Sequence, residues 1–412
     1  MIVLKNSNVF DGVSETLKKN CSVLLEGDKI KEVREQDKTT YENCEVIDLG
    51  GRVLMPGLIE CHMHVLQCEI PEPDKCMNDR TPGGDRLENT DAYVCFRGVY
   101  SCRRMLDAGF TTVFDGGGNN FMEAALRECI NTGLFDAPDY YICGLQITAG
   151  RGHLPGIGYE AHGEWGIREA VRKMLWWGAN HIKIKMSAPM RMPGRNTERS
   201  EYTVPEIKAA CEEAHSAGLL VSGHARGAIP IKDFLEGGGD RIVHGTGIDD
   251  EGIEMILKRN QYVYPTLCAP YYECTDTAKA IKPKKTIDAL LKKGREHFES
   301  VKKMYKAGVK FAFASDSGAM DMWPGINCFN EMLHMREIGM SNIGILRAAT
   351  SEAAKAVGLE SLVGAVKPGM RANLIVVEKN PVQENIEQMQ EVKMVIKAGR
   401  IVRNKLPIAI SF

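Results

Sequence analysis

Long hydrophobic runs are missing from this 412-residue chain: no apolar stretch reaches the roughly 18–20 residues that span a bilayer. Membrane insertion is therefore not expected. An excess of one charge is missing too, with Lys+Arg 52 against Asp+Glu 54 and a net charge of -2. No clustered basic face stands out, so nucleic acid is not an expected partner. The single basic run, Lys282-Pro283-Lys284-Lys285, reads as a solvated turn. The first residues, Met1-Ile2-Val3-Leu4-Lys5-Asn6, enter a strand-like pattern without the charged and apolar regions of a secretory leader, so export is not expected. Paired cysteine spacing is also lacking. The 13 cysteines are odd in number, scattered, and never in C-x-x-C spacing. That argues against a disulfide framework or thiolate metal site, and for reduced thiols packed as small apolar side chains in the cytoplasm.

Glycine, by contrast, is plentiful, with 41 residues that suit a fold rich in strand-to-helix turns. Ile2 to Leu4, Cys21 to Leu25, Lys29 to Val33 and Val46 to Leu49 read as short strands separated by turn formers. The other end has the same texture at Ala372 to Glu378, Val392 to Ala398 and Arg400 to Val402. Residues 1–54 and 365–412 are therefore expected to form one small β-sandwich domain. Between them, residues 55–364 alternate apolar strands with amphipathic helices. Eight strands begin near Gly57, Thr111, Tyr140, Ile182, Leu219, Arg241, Tyr262 and Lys310. Several helices end in glycine just before a strand, as at Ala108-Gly109, Ala217-Gly218 and Ala307-Gly308. Eight β-α repeats predict an α/β fold of the (β/α)8 TIM barrel type.

Such barrels carry their chemistry at the C-terminal ends of the strands. His62 and His64 follow the first strand, and two residues apart on an extended chain they point the same way and can chelate one ion. A lone H-x-H is equally a buried polar pair. The later strand ends shift the balance: Lys183 lies in the fourth strand, His224 ends the fifth, His244 the sixth and Asp316 the eighth. Each has a bland explanation, as a salt-bridging lysine, a satisfied core histidine or a helix cap. Chance would hardly fill all of these positions together.

The segment Met55-Pro56-Gly57-Leu58-Ile59-Glu60-Cys61-His62-Met63-His64 resembles the signature opening of the amidohydrolase superfamily. The likeness continues through Gly178-Ala179-Asn180-His181-Ile182-Lys183, Val243-His244-Gly245-Thr246, Ala314-Ser315-Asp316-Ser317 and Lys367-Pro368-Gly369-Met370-Arg371-Ala372-Asn373-Leu374, nearly the whole chain. It is strongest to the branch of imidazolonepropionase-like proteins and metal-dependent Xaa-Pro dipeptidases. The resemblance implies two divalent metal ions, with Zn2+ the expected choice. His62, His64 and Asp316 would hold one, and His224 and His244 the other. A CO2-derived carbamate on Lys183 would lie between them. Lys185 shares the strand face, and only the family pattern selects Lys183. The implied reaction is hydrolysis of an amide C–N bond of a dipeptide or N-acyl amino acid by a metal-bridging hydroxide, with Asp316 as catalytic proton shuttle.

The chain departs from that pattern in its pocket. Where many relatives read His-Ala-His-Gly, this sequence has His224-Ala225-Arg226-Gly227. Near the third strand it reads Thr148-Ala149-Gly150-Arg151-Gly152-His153. Arg226 and Arg151 are candidates to grip a substrate carboxylate, or to pair with acids such as Glu160 and Glu164. His153 and Tyr202 are further substrate-binding candidates, with loop shaping and packing as their alternatives. Leu66 to Asp91 reads as a lid or a plain excursion, and Met320 to Gly325, with Trp323, as a pocket wall. The competing activities are cyclic amide hydrolysis and heterocyclic amine deamination. Deaminases of this kind lack the lysine and carry a His-x-x-Glu shuttle that is not found here. A silent scaffold would have lost ligands. The expected partners are a small-molecule substrate, carboxylate-bearing on the arginine reading, and further copies of the chain as a homo-oligomer.

Overall fold

A computed structural model describes residues 1–67, 90–150, 152–153, 158–188, 198–272, 284–318 and 322–406. Arg151, most of the Leu66 to Asp91 segment, and 320–321 of the expected pocket wall lie outside the described residues. All eight expected barrel strands are present: Leu58–Met63, Phe110–Asp115, Asp139–Tyr141, Ile182–Lys185, Val221–Arg226, Arg241–Thr246, Tyr262–Tyr264 and Lys310–Phe311. The first three pair in parallel, and the last five form a second parallel run. Backbone bonds close the seam between last and first, with Cys61 N donating to Phe313 O at 2.9 Å and Asp316 N to His62 O at 2.9 Å. The other seam runs through Asn180 N to Ile142 O at 2.7 Å. The result is a TIM barrel.

The strands hold because both their faces are covered. Every residue of Leu58–Met63, Phe110–Asp115 and Val221–Arg226 is buried, as parallel strands between a core and a helical layer must be. The helices show the matching stripe. In Val204–Ser216 the buried Ile207, Ala210, Cys211 and Ala214 follow the i, i+3, i+4, i+7 spacing of one face. Pro205 sits in its first turn, and Gly218, at φ +73°, takes the left-handed turn that stops it. The third repeat is more elaborate than its sequence suggests. Ile147–Thr148 is a short strand that pairs with Ile184 and with Tyr159–Glu160. Two-residue strands carry no periodicity, so the pattern gives no sign of them.

Both chain ends meet in one mixed eight-stranded sheet. Ile2–Val9 is its hub, pairing with Lys18–Glu26 on one side and with Glu45–Asp48 and Val53–Pro56 on the other. Val53–Pro56 then pairs with Leu374–Val377 from the far end of the chain. The sheet folds into a β-sandwich over its own core, including Leu4, Val23, Leu54, Leu374, Met394 and Ile396. Asp139, at the start of the third barrel strand, clamps this unit to the barrel. It accepts from Arg371 Nη1 at 3.2 Å and Asn373 Nδ2 at 3.0 Å, and Lys397 Nζ lies at 3.1 Å. Asp139→Ala strands three half-buried donors and is expected to destabilise the protein by about 1–3 kcal/mol. Urea denaturation checks this; an unchanged midpoint would mean the clamp is ornamental. Among the described residues no helix is long and apolar enough to cross a membrane.

Candidate metal centre

Strand ends bring the predicted residues together. His62 and His64 leave the first strand on the same face, and Asp316 reaches them from the segment after Lys310–Phe311. Asp316 Oδ1 lies 3.3 Å from His62 Nε2 and 3.4 Å from His64 Nε2. Lys183 Nζ is 3.2 Å from His62 Nε2. On the next strands, His244 Nε2 and His224 Nδ1 are 2.8 Å apart. All six side chains are buried or nearly so, although of their three residue types only histidine is at home in a dry core.

The surroundings fix where the imidazole lone pairs point. His64 Nδ1 faces the carbonyl of Gly117 at 3.0 Å, and a carbonyl only accepts, so Nδ1 carries the proton. His64 Nε2 is then bare, and it faces a carboxylate oxygen that is also an acceptor. Two lone pairs at 3.4 Å repel unless a cation sits between them. Ligands about 2.0–2.2 Å from one tetrahedral ion lie at just such separations from each other. His244 follows the same logic. Thr266 Oγ1 donates to Pro265 O at 2.8 Å and so accepts from His244 Nδ1 at 2.6 Å, leaving His244 Nε2 bare toward His224. His224 Nε2 is buried without a hydrogen-bond partner. The donor set therefore fits a divalent metal, and His62, His64 and Asp316 are a group able to hold one, their ligand atoms all within 4.8 Å of one another.

Electrostatics agree. Burial drives the His62, His224 and His244 imidazoles well below the ordinary histidine range, which keeps them neutral as ligands must be. Burial alone would raise the Asp316 carboxyl, but the neighbouring His62 and His64 overcome it and hold the group well below the usual carboxylate range. Burial, aided by the neighbouring Lys185, pushes the Lys183 amine well below the ordinary lysine range. Two of these residues also store backbone strain: His244 at φ 79° and Asp316 at φ 57° lie in the left-handed region.

Several contributors escaped the sequence reading. Asp115 ends the second strand, where the criterion that found His224 would also have found it. Its Oδ2 accepts from Val65 N at 3.0 Å and its Oδ1 from Gly117 N at 2.7 Å, locking the backbone on both sides of His64. Glu60, beneath the histidines, accepts from His62 N and Ser315 N, each at 3.0 Å, and ties the first strand to the last. Burial pushes its carboxyl up to about 8. Gly116 cannot be larger, because a Cβ there would meet His62 Cε1 at 2.2 Å.

The pocket residues are distributed unevenly. Arg226 is buried beside the centre and its Nη1 donates to Thr246 Oγ1 at 3.1 Å. Glu160 and Glu164, the acids weighed as its partners, are exposed. The His153 ring lies 4.3 Å from that of His224. Tyr202 is buried, and its hydroxyl donates to Ala161 O at 3.2 Å.

A barrel with a sandwich at its side and, on its strand ends, a His-His-Asp group able to hold a metal is the arrangement of the amidohydrolase type. The Amidohydrolase family model matches residues 53–402, and the chain belongs to that family. It is similar to an ochratoxinase from Aspergillus niger, 26% identical over 382 residues that cover 85% of this chain and 76% of that protein. Among solved structures it is similar to a Xaa-Pro dipeptidase with bound methionine in the active site, at TM-score 0.86 and 25% identity, covering 98% of this chain and 100% of the other. A prolidase complexed with N-methylphosphonate-L-proline matches at TM-score 0.84 and 26% identity, covering 98% and 99%. The protein is a hydrolase acting on carbon–nitrogen bonds.

Proposed function

We propose that the protein hydrolyses the amide bond of a dipeptide or N-acyl amino acid, using two divalent ions, Zn2+ by preference. His62, His64 and Asp316 hold one, His224 and His244 the other, and a carboxylated Lys183 lies between them. The observation that carries this reading is the bare His64 Nε2 turned on the Asp316 carboxylate at 3.4 Å. When bound, such ions acidify water and polarise a carbonyl oxygen. The chain's own residues do the rest. Asp316 takes the proton released as water adds to the carbonyl carbon and returns it to the leaving nitrogen, so that bond breaks as an amine. Gly117 and Thr266 fix the histidine tautomers through these steps. Burial excludes bulk water from around the ligands and strengthens each charge interaction.

Substrate class follows from Arg226. A buried guanidinium at the strand end matches a carboxylate in a planar, two-pronged contact. Methionine and N-methylphosphonate-L-proline, bound by the two similar structures, both carry an α-carboxylate. Arg151, His153 and Tyr202 complete the proposed substrate contacts, with Tyr202 acting through the Ala161 backbone. The first test is metal analysis followed by a screen of dipeptides, N-acyl amino acids and small lactams. About two ions per chain and turnover of the linear amides support the reading; one ion, or turnover of lactams alone, overturns it. The second is Arg226→Met, expected to lower kcat/KM for carboxylate-bearing substrates by about ten- to a hundredfold more than for their carboxamides. Equal losses on both would remove Arg226 from the carboxylate.

A further inference from the structure

Arg226 does not stand alone in its wall of the barrel. Its Nη1 donates to Thr246 Oγ1 at 3.1 Å, and Thr246 Oγ1 lies 2.8 Å from His297 Nδ1. His297 Nε2 lies 2.8 Å from Pro265 O. His297 comes from the middle of the long helix Lys284–Lys306, far from any strand end. All three side chains are buried: Arg226 is 5% exposed, Thr246 3% and His297 1%.

The direction of every bond in this chain is settled by one carbonyl. Pro265 O can only accept, so His297 Nε2 carries the proton and Nδ1 is bare. Thr246 must then donate its hydroxyl proton to Nδ1, which leaves its oxygen lone pairs for the Arg226 guanidinium. The same carbonyl accepts from Thr266 Oγ1 at 2.8 Å, and Thr266 in turn receives the His244 Nδ1 proton. One buried polar network thus runs from the arginine, through Thr246, His297 and the Pro265 carbonyl, to Thr266 and His244. The helix is held in register one turn beyond His297, where Gly247 N donates to Ser300 Oγ at 2.9 Å. Backbone bonds add to the fixation, with Arg226 N donating to Ser187 Oγ at 3.0 Å and Gly227 N to Thr246 O at 2.7 Å.

We infer that His297 is a positioning residue for substrate selection: through Thr246 it aims the Arg226 guanidinium, and through Pro265 it keeps that anion subsite in register with His244. The inference rests on the reading of Arg226 as the carboxylate anchor. An arginine side chain has four free torsions, and a two-pronged contact tolerates little error in aim. A neutral donor–acceptor imidazole supplies that aim without placing a second cation beside the guanidinium.

The experiment uses the metal-loaded protein and a matched ligand pair with no amide bond to cleave, L-methionine and L-methioninol, with dissociation constants measured by calorimetry. The wild type binds the carboxylate more tightly. Thr246→Val, which keeps volume and removes the hydroxyl, and His297→Leu each cut that preference by about ten- to a hundredfold. His297→Gln, with one donor and one acceptor at similar spacing, restores part of it. A structural role alone would weaken both ligands alike, and that result overturns the inference. If His297→Leu does not fold, Thr246→Val decides. A wild type without the preference, or an Arg226→Met protein that keeps it, overturns the Arg226 reading itself. Loss of preference in Arg226→Met with full preference in Thr246→Val and His297→Leu overturns only the role of His297.

Discussion

Asp316→Asn is expected to lower kcat by about 10³–10⁴-fold while KM changes little, since the loss falls on proton transfer rather than on binding. The substitution is chosen for what it preserves. Asn has nearly the volume of Asp and accepts the left-handed backbone that Asp316 adopts at φ 57°, so it adds no strain of its own. What it removes is the capacity to take a proton and the negative charge facing His62 Nε2 and His64 Nε2 at 3.3 and 3.4 Å. The charge also matters to metal retention, so metal content must be measured on the same sample. A fully loaded Asp316→Asn protein with kcat within tenfold of wild type would show that another group moves the proton. Loss of metal with recovery of rate on adding excess Zn2+ would assign Asp316 to binding alone.

How much of this was legible beforehand divides along a physical line. Strands and helices were readable because burial imposes period: Ile207, Ala210, Cys211 and Ala214 mark a helix face in any notation. The proposed ligands were readable because His and Lys on buried strands are costly unless they serve a function. The second tier was not. His297 sits on a helix whose sequence gives no sign of which face meets Thr246, and Thr266 matters only because Pro265 O fixes its proton. Such roles depend on pairs 51 residues apart, as Thr246 and His297 are, and single-sequence reasoning has no access to pairs. Asp115 is the instructive omission. It stood at a strand end, but the family pattern drew attention to the ligands and away from the group that locks the backbone around His64. The family pattern also chose Lys183 over Lys185, a choice the shared strand face left open. Lys183 Nζ lies 3.2 Å from His62 Nε2.

Lys183→Ala is expected to lower kcat/KM by about 10³-fold or more, because several kcal/mol of charge stabilisation go with the proposed bridging carbamate. The argument begins with burial. Lys183 is 0% exposed and lies in a cluster of imidazoles, with Lys185 two residues along the same strand face. An ammonium there has no water and repelling neighbours, so the amine is held neutral. A neutral amine is the form that adds to CO2: nitrogen bonds to carbon, one proton leaves to solvent, and a carbamate anion remains. That anion offers two oxygens where the bare amine offered one nitrogen, and it brings negative charge to a centre otherwise supplied only by Asp316. Removing the side chain beyond Cβ should therefore cost metal as well as rate, with content falling from about two ions per chain toward one. It also leaves a slot shaped for a small carboxylate. Acetate or propionate added to Lys183→Ala should restore part of both the metal content and the rate, and the same acids should do nothing for wild type. Growth in isotope-labelled CO2 provides the independent readout, a carbamate carbon resonance present in wild type and absent from Lys183→Ala. A wild-type protein with two ions and no such resonance would sink the carbamate and leave Lys183 as a neutral amine beside His62.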